Sequence, residues 1–207
     1  MKSNSWTALC LFGCVAIGGC ASQGEKVDIK IAPKPSADAK AAVVTKNDVK
    51  VGVAPFQDDR TDRSRLGVRQ HLWGGESSFT LPSGTVGEVT ARAFVDYLRQ
   101  KGWDASLATN GTAADIMLTG KLLEVEVNAK SSFFQTNVTG KSKMVIQAEN
   151  NADGSKLRET VTGMGNQNVF WFDSDDAEEL LNDLYDKNFD RFLTDTKLDG
   201  KILKLTK

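Results

Sequence analysis

Apolar residues recur at helical spacing in two places along the chain, and alternate with polar residues in several others. Val86, Val89, Ala93, Phe94, Tyr97 and Leu98 follow the i, i+3, i+4, i+7 template. That spacing predicts a core-facing helix over about 84–100, capped by Ser83 and stopped by Gly102. A second stripe, Ala177, Leu180, Leu181, Leu184, Tyr185, Phe189, Phe192 and Leu193, predicts a helix over about 176–194. Asp173, Ser174 and Asp175 can each cap it, and its acidic first turn suits the positive end of the helix dipole.

Strand patterns fill much of the remainder. Lys50–Phe56 is a short apolar run closed by Pro55, and Trp103–Leu107 is another short candidate. Asp115–Val127 is longer and shifts its apolar phase around Leu122 and Leu123, as a β-bulge would. Along Val138–Ala148, Thr139, Lys141, Lys143 and Gln147 face one way, and Val138, Met144, Ile146 and Ala148 the other. Asn150–Ser155 carries the Asp-Gly turn signal, so Lys156–Gly165 is expected to return as the partner strand and run on towards Val169–Phe172. Val27–Ile31 alternates strictly and is a candidate edge strand. Between Gln57 and Pro82 no period is sustained, and a long loop is expected there.

Strand, helix, several strands and a final helix together predict an α/β (α+β) fold. The expected form is a two-layer sandwich: a mixed, mostly antiparallel sheet of about five strands with two helices on one face. Residues 49–207 are read as a single globular domain. Residues 20–48, rich in Ala, Lys, Ser and Pro, are read as a lipidated N-terminus and flexible tether.

The amino end changes the picture most. Lys2 is followed by an apolar stretch from Trp6 to Gly19, then small residues and a cysteine. This is the layout of an export signal. Its 14 residues fall short of the roughly 20 that span a bilayer. Ile17-Gly-Gly-Cys20 resembles a bacterial lipobox, which implies a leader over 1–19 and a lipidated first mature residue, Cys20. All three cysteines lie in this segment, so the rest of the chain offers no disulfide. Ala21, rather than an aspartate, points to the outer membrane, with the domain in the periplasm. Bacterial export leaves the sequons at Asn110 and Asn137 without meaning for glycosylation.

Charge adds mainly exclusions. Lys2 is the only charge in the leader, so removing it takes the 26 basic residues to 25, against 27 acidic ones. With no basic stripe, the domain is not a nucleic-acid binder. One histidine and no cysteine after Cys20 leave no four-ligand zinc set, and the acidic runs at 58–62 and 173–177 break the EF-hand spacing. No nucleophile elbow or phosphate loop occurs; Gly163-Met-Gly165 falls within a strand. No metal or cofactor is implied.

The stretch Gln57–Arg65 is the remaining candidate for chemistry. Asp58, Asp59 and Asp62 alternate with Arg60, Arg63 and Arg65. Guanidinium neighbours lower carboxyl pKa values, the opposite of what a general acid needs. The packet is therefore read as a structural, charge-paired turn built on Asp58, Asp59, Arg60 and Asp62. The catalytic alternative is a hydrolase using Asp58, Asp59 or Asp62 with His71.

An apolar strand followed by Asp58-Asp59-Arg60-Thr61-Asp62, in a lipoprotein of this size, resembles the YajG family of bacterial lipoproteins. There, Asp-x-Arg-Thr-Asp follows the first core strand. The order of other elements is similar over about 27–205: Leu98…Gly102 at a helix end, Ala114-Asp115-Ile116 at a strand entry, and Asp195-Thr196…Leu198 after the last helix. His71–Phe79 departs from the pattern. The resemblance implies an outer-membrane lipoprotein without an established activity, and no catalytic residues to carry over.

Aromatics supply the other functional signal. Trp73, Phe79, Phe133, Phe134, Phe170 and Trp171 fall in loops or at strand ends. They either extend the core or form an exposed patch for a protein partner or lipid. The sequence thus predicts a non-enzymatic, lipid-anchored envelope protein that binds a partner in an assembly or transport complex. A peptidoglycan- or lipid-interacting module is the alternative.

Overall fold

A computed structural model describes residues 24–35, 48–109 and 112–206. The leader 1–19, Cys20, residues 21–23 and 36–47 of the expected tether, and Asn110 lie outside the described residues. In chain order the elements are β1 (Glu25–Asp28), β2 (Lys50–Val53), β3 (Gln57–Asp58), β4 (Gly67–Gln70), β5 (Glu76–Thr80), α1 (Val86–Gln100), β6 (Asp104–Leu107), β7 (Ile116–Ser131), β8 (Thr136–Asn150), β9 (Lys156–Val169), α2 (Ser174–Thr194), β10 (Thr196–Asp199) and β11 (Ile202–Leu205).

β7 organises the sheet. One of its edges pairs with β8 along its whole length, and β8 pairs in turn with β9, forming a long antiparallel meander. Its other edge takes three short strands in succession, all parallel to it: β2 at Ile116–Leu118, β3 at Lys121–Leu122 and β4 at Ala129–Lys130. β6 extends the sheet beyond β2, while β5 and then β1 extend it beyond β4. Register shifts between Leu122 and Glu124, where a bulge accommodates Leu123. The extra residue keeps Ile116, Leu118 and Leu122 on the same buried face as Val125, Val127 and Ala129, although the two sets differ in phase.

Both helices cover this face. α2 lies over β7, β8 and β9, and α1 over β2, β3 and β6. Gly140, Gly163 and Gly165 face Leu180 and Leu184, and their missing side chains let α2 sit close. This is the role of Gly163-Met-Gly165. Between the helices Phe94 stacks on Phe189, with centroids 4.3 Å apart, and Tyr97 and Tyr185 meet the same ring edge-on. The hydroxyls of Tyr185 and Thr90 share a buried 3.0 Å hydrogen bond. Thr85, not Ser83, caps α1 in a capping box with Glu88; Asp173 caps α2 with Asp176.

The two-layer arrangement agrees with the sequence, but the sheet is larger than five strands. It has nine, and β10 and β11 form a separate hairpin. Three of the extra strands, β3, β4 and β5, lie in the expected 57–82 loop. They are two to five residues long and gain order from pairing with β7 and with each other rather than from an apolar period. Within the expected tether, the candidate edge strand at Val27–Ile31 corresponds to the end of β1 and the residues after it. β1 pairs with β5, and Ile29 and Ile31 are buried. The amides of Lys30 and Ala32 donate to the side chains of Glu178 and Asn182 on α2, at 2.8 and 2.7 Å. Residues 24–35 therefore strap the sheet edge to the helix layer.

α1 meets β2 and β3 at the Phe56 backbone, whose amide donates to the Gly87 carbonyl at 3.1 Å. A Cβ on Gly87 would collide with the Phe56 carbonyl. Gly87→Ala improves intrinsic helix propensity by about 1 kcal/mol, yet the forced separation is expected to dominate. Urea denaturation should show a net loss of about 1–3 kcal/mol; an unchanged or higher midpoint would contradict this contact.

Candidate functional site

The charged packet starts where β3 leaves β7. Arg60 is buried, at 4% exposure, and makes a two-pronged pair with Asp58: Nε to Oδ1 and Nη2 to Oδ2, each 2.9 Å. Its Nη1 donates to the carbonyls of Arg65 (2.9 Å) and Val125 (3.3 Å), tying the loop to β7. The Arg60 amide also donates to Asp58. Asp59 accepts from Gln57 and pairs with Lys121 on β7 at 3.3 Å. Asp62 accepts from the Ser64 amide and hydroxyl and pairs with Arg65 at 2.9 Å.

Each carboxylate is therefore spent on the turn. Partial burial pushes Asp58 up, but hydrogen bonds from Arg60 and the charges of Arg60 and Arg63 outweigh it and hold the carboxyl below its ordinary range. The Ser64 hydroxyl and amide, then Arg65, bring Asp62 down to about 2. Two open hollows of about 250 and 420 Å³ flank Arg60. Asp62, which lines the first, and Asp58, which lines the second, are the two carboxyls held low.

His71 lies elsewhere. Asp58 is level with Leu122 on β7, while Gln70, beside His71, is level with Lys130. Eight strand residues separate the two levels, roughly 26 Å. Instead, His71 Nε2 meets the Ser77 hydroxyl at 2.7 Å, and that hydroxyl donates to Glu25 at 3.4 Å. Ser77 is fully buried, which removes it as a nucleophile for an external substrate. The hydrolase alternative thus has its acids and its base at different places.

Among the described residues, no group of three or more His, Cys, Asp and Glu side chains is placed to hold a metal ion. One strongly shifted acid lies outside the packet and gave no sequence signal. Glu159, on the helix-facing side of β9, is pushed up to about 7 by burial, then by the neighbouring Asp195 carboxyl, with Arg191 opposing.

The aromatic residues do converge. Trp73 stands in the β4–β5 turn, Phe133 and Phe134 in the β7–β8 turn, and Phe170 and Trp171 in the segment leaving β9. The pairings Gln70 with Lys130 and Thr136 with Val169 bring these three segments to one end of the sheet. The five side chains are 70–84% exposed. Trp73 and Phe133 meet edge-to-face at 5.8 Å, and Phe170 and Trp171 at 5.4 Å. Phe79 is the exception among the six candidates: it is fully buried and belongs to the core. It packs against Phe172, which also lies under the Arg69 guanidinium. Val169 and Phe172 thus anchor the segment from which Phe170 and Trp171 project.

No protein-family model matches the chain, and no curated protein sequence matches it. Among solved structures, a DUF330 protein from Xanthomonas campestris is similar at a TM-score of 0.49 and 10% identity, over 83% of this chain and 93% of the other. A neuraminyllactose-binding hemagglutinin homolog from Helicobacter pylori is similar at 0.41 and 12%, over 84% and 94%. Lipoprotein GNA1162 from Neisseria meningitidis is similar at 0.34 and 13%, over 65% and 94%. Likenesses of this size carry no conclusion about function.

Arg60→Ala leaves Asp58 and two carbonyls without their donor and is expected to cost about 3 kcal/mol. Asp59→Asn, which weakens a surface pair, should stay within about 1 kcal/mol. Because Asp58 titrates below its ordinary value of 3.8 when folded, its contribution is complete above that value and lost as pH falls through the folded one. The stability gap between wild type and Arg60→Ala should therefore narrow in acid. An Arg60→Ala chain with an unchanged melting temperature would contradict the structural role.

Proposed function

We propose that this chain is a lipid-anchored protein of the cell envelope, attached through Cys20, whose domain works by binding rather than by catalysis. The observation that carries this reading is the aromatic end. Five large aromatic side chains remain in solvent on a domain that buries its other large aromatics well, and such surfaces serve contact. The paired state of the charged packet supports the same reading, since it occupies the residues a hydrolase would use. No helix among the described residues is long and apolar enough to cross a membrane; attachment is assigned to the lipid on Cys20 from the lipobox-like Ile17-Gly-Gly-Cys20.

The resemblance of Asp58–Asp62 to the YajG pattern, and Ala21 after the lipidated cysteine, favour the outer membrane with the domain on the periplasmic side. The role is that of an accessory module in an envelope assembly or transport complex, with another envelope protein as partner. An alternative, a module that interacts directly with lipid or peptidoglycan, gains support on its lipid side from the position of Gly24 beside the turn that carries Trp73.

Crosslinking in intact cells is expected to give a higher-mass adduct of the wild-type protein. The Cys20→Ser chain should neither take up labelled palmitate nor fractionate with the outer membrane, and should lose the adduct. A Cys20→Ser chain that still takes up the label would overturn the anchor. Recovery of the wild type only as monomer would overturn the partner role.

A further inference from the structure

The first described residue lies beside the aromatic end. The Gly24 amide donates to the Glu76 carbonyl at 3.0 Å, at the start of β5 and just past the turn that carries Trp73. β1 runs parallel to β5 from that point, away from the turns. Cys20 is four residues upstream of Gly24, and four residues reach at most about 14 Å. Anchoring at Cys20 therefore holds the same end of the sheet that carries Trp73, Phe133, Phe134, Phe170 and Trp171 close to the bilayer.

The composition of that end fits a lipid surface. Charged residues make up 26% of the chain. The three segments 71–75, 132–135 and 169–172 nevertheless contain no Asp, Glu, Lys or Arg. The nearest charges along the chain are Arg69 and Glu76, Lys130 and Lys141, and Glu159 and Asp173, and Arg69 is held over the Phe172 ring. Tryptophan is favoured in the interfacial layer, and phenylalanine is among the side chains that membrane-surface segments bury at the headgroup–acyl boundary, where a fixed charge would have to be desolvated. That layer is about 5–8 Å deep on each side of the hydrocarbon, so turn tips can enter it while the flanking charges stay in water. Projecting tips on three separate turns suit a deformable lipid surface better than a rigid protein pocket.

We infer that the aromatic end is a membrane-docking surface: the five aromatic side chains enter the lipid interface and fix the orientation of the domain on its anchor. This rests on the lipid attachment at Cys20 proposed above, and it names the ligand of the aromatic end as a phospholipid surface. With the mature chain net acidic and the turns free of fixed charge, docking is apolar and does not require anionic lipid.

Tryptophan fluorescence tests it. The chain after Cys20 has Trp73 and Trp171 at the docking end. Trp103, 8% exposed, lies at the opposite end of the sheet, before β6. The length of β7 separates the two ends, roughly 50 Å. The lipidated full mature protein is reconstituted into phosphatidylcholine vesicles with brominated or ordinary acyl chains, with and without phosphatidylglycerol, and floated on a density gradient. Brominated chains should quench the wild type and not Trp73→Phe/Trp171→Phe, in which Trp103 alone emits. Quenching should be the same with and without phosphatidylglycerol. Protein that floats but emits equally in both lipids would overturn the docking surface and leave the anchor standing. Quenching that persists in the double variant, or that needs phosphatidylglycerol, would also overturn it. Protein that does not float would overturn the anchor and the docking built on it.

Discussion

One strand supports most of this structure. β7 runs for 16 residues and hydrogen-bonds along both edges, to β8 on one side and to β2, β3 and β4 in turn on the other. Strands as short as β3 and β4 have no independent stability; they exist because β7 presents them with a preformed edge. The bulge at Leu123 lets that edge serve one continuous core. Arg60, reaching the Val125 carbonyl just beyond the bulge, ties the charged turn to this strand. The packet is therefore part of how β7 is held.

How much of this was legible in the sequence depends on whether order was local. α1 and α2 were visible because their apolar stripes are long and their caps lie beside them. The meander was visible because alternation in β8 and Asp153-Gly154 are local signals. β4 and β5 were not: they close a local hairpin across residues 71–75, but no alternation marks 57–82, and an inward position of β5 is taken by polar Ser77, buried against His71. The β10–β11 hairpin did leave a mark: Asp199-Gly200, with Gly200 at φ 61°, is the turn pair that the alternation of 196–205 flanks. Of the site, charges alternate in 57–65, where Asp58 pairs with Arg60 and Asp62 with Arg65, but the pairing of Asp59 with Lys121 on β7 and the burial of Arg60 were invisible. Sequence could not separate Phe79, in the core, from Trp73, which lies in solvent.

The docked orientation has a consequence for partners. With the aromatic end on the bilayer, the sheet face opposite the helices stands free, lined by residues such as Thr139, Lys141, Thr160, Thr162 and Asn166. That polar face is left accessible while the aromatic end holds the bilayer. The strap formed by residues 24–35 matters for the same reason. Were these residues a loose tether, the anchor would place no restriction on orientation; packed on β5 and α2, they put Gly24 at the aromatic end, four residues from Cys20.

The central claim, that residues 24–35 pack on β5 and α2 and start from the aromatic end of the sheet, is tested most directly by amide hydrogen exchange across residues 24–35. The amides of Ile29, Lys30 and Ala32 donate to Thr80, Glu178 and Asn182, so they should exchange as slowly as those of β5. Exchange at the rate of an unstructured chain would contradict this packing and the orientation that follows from it.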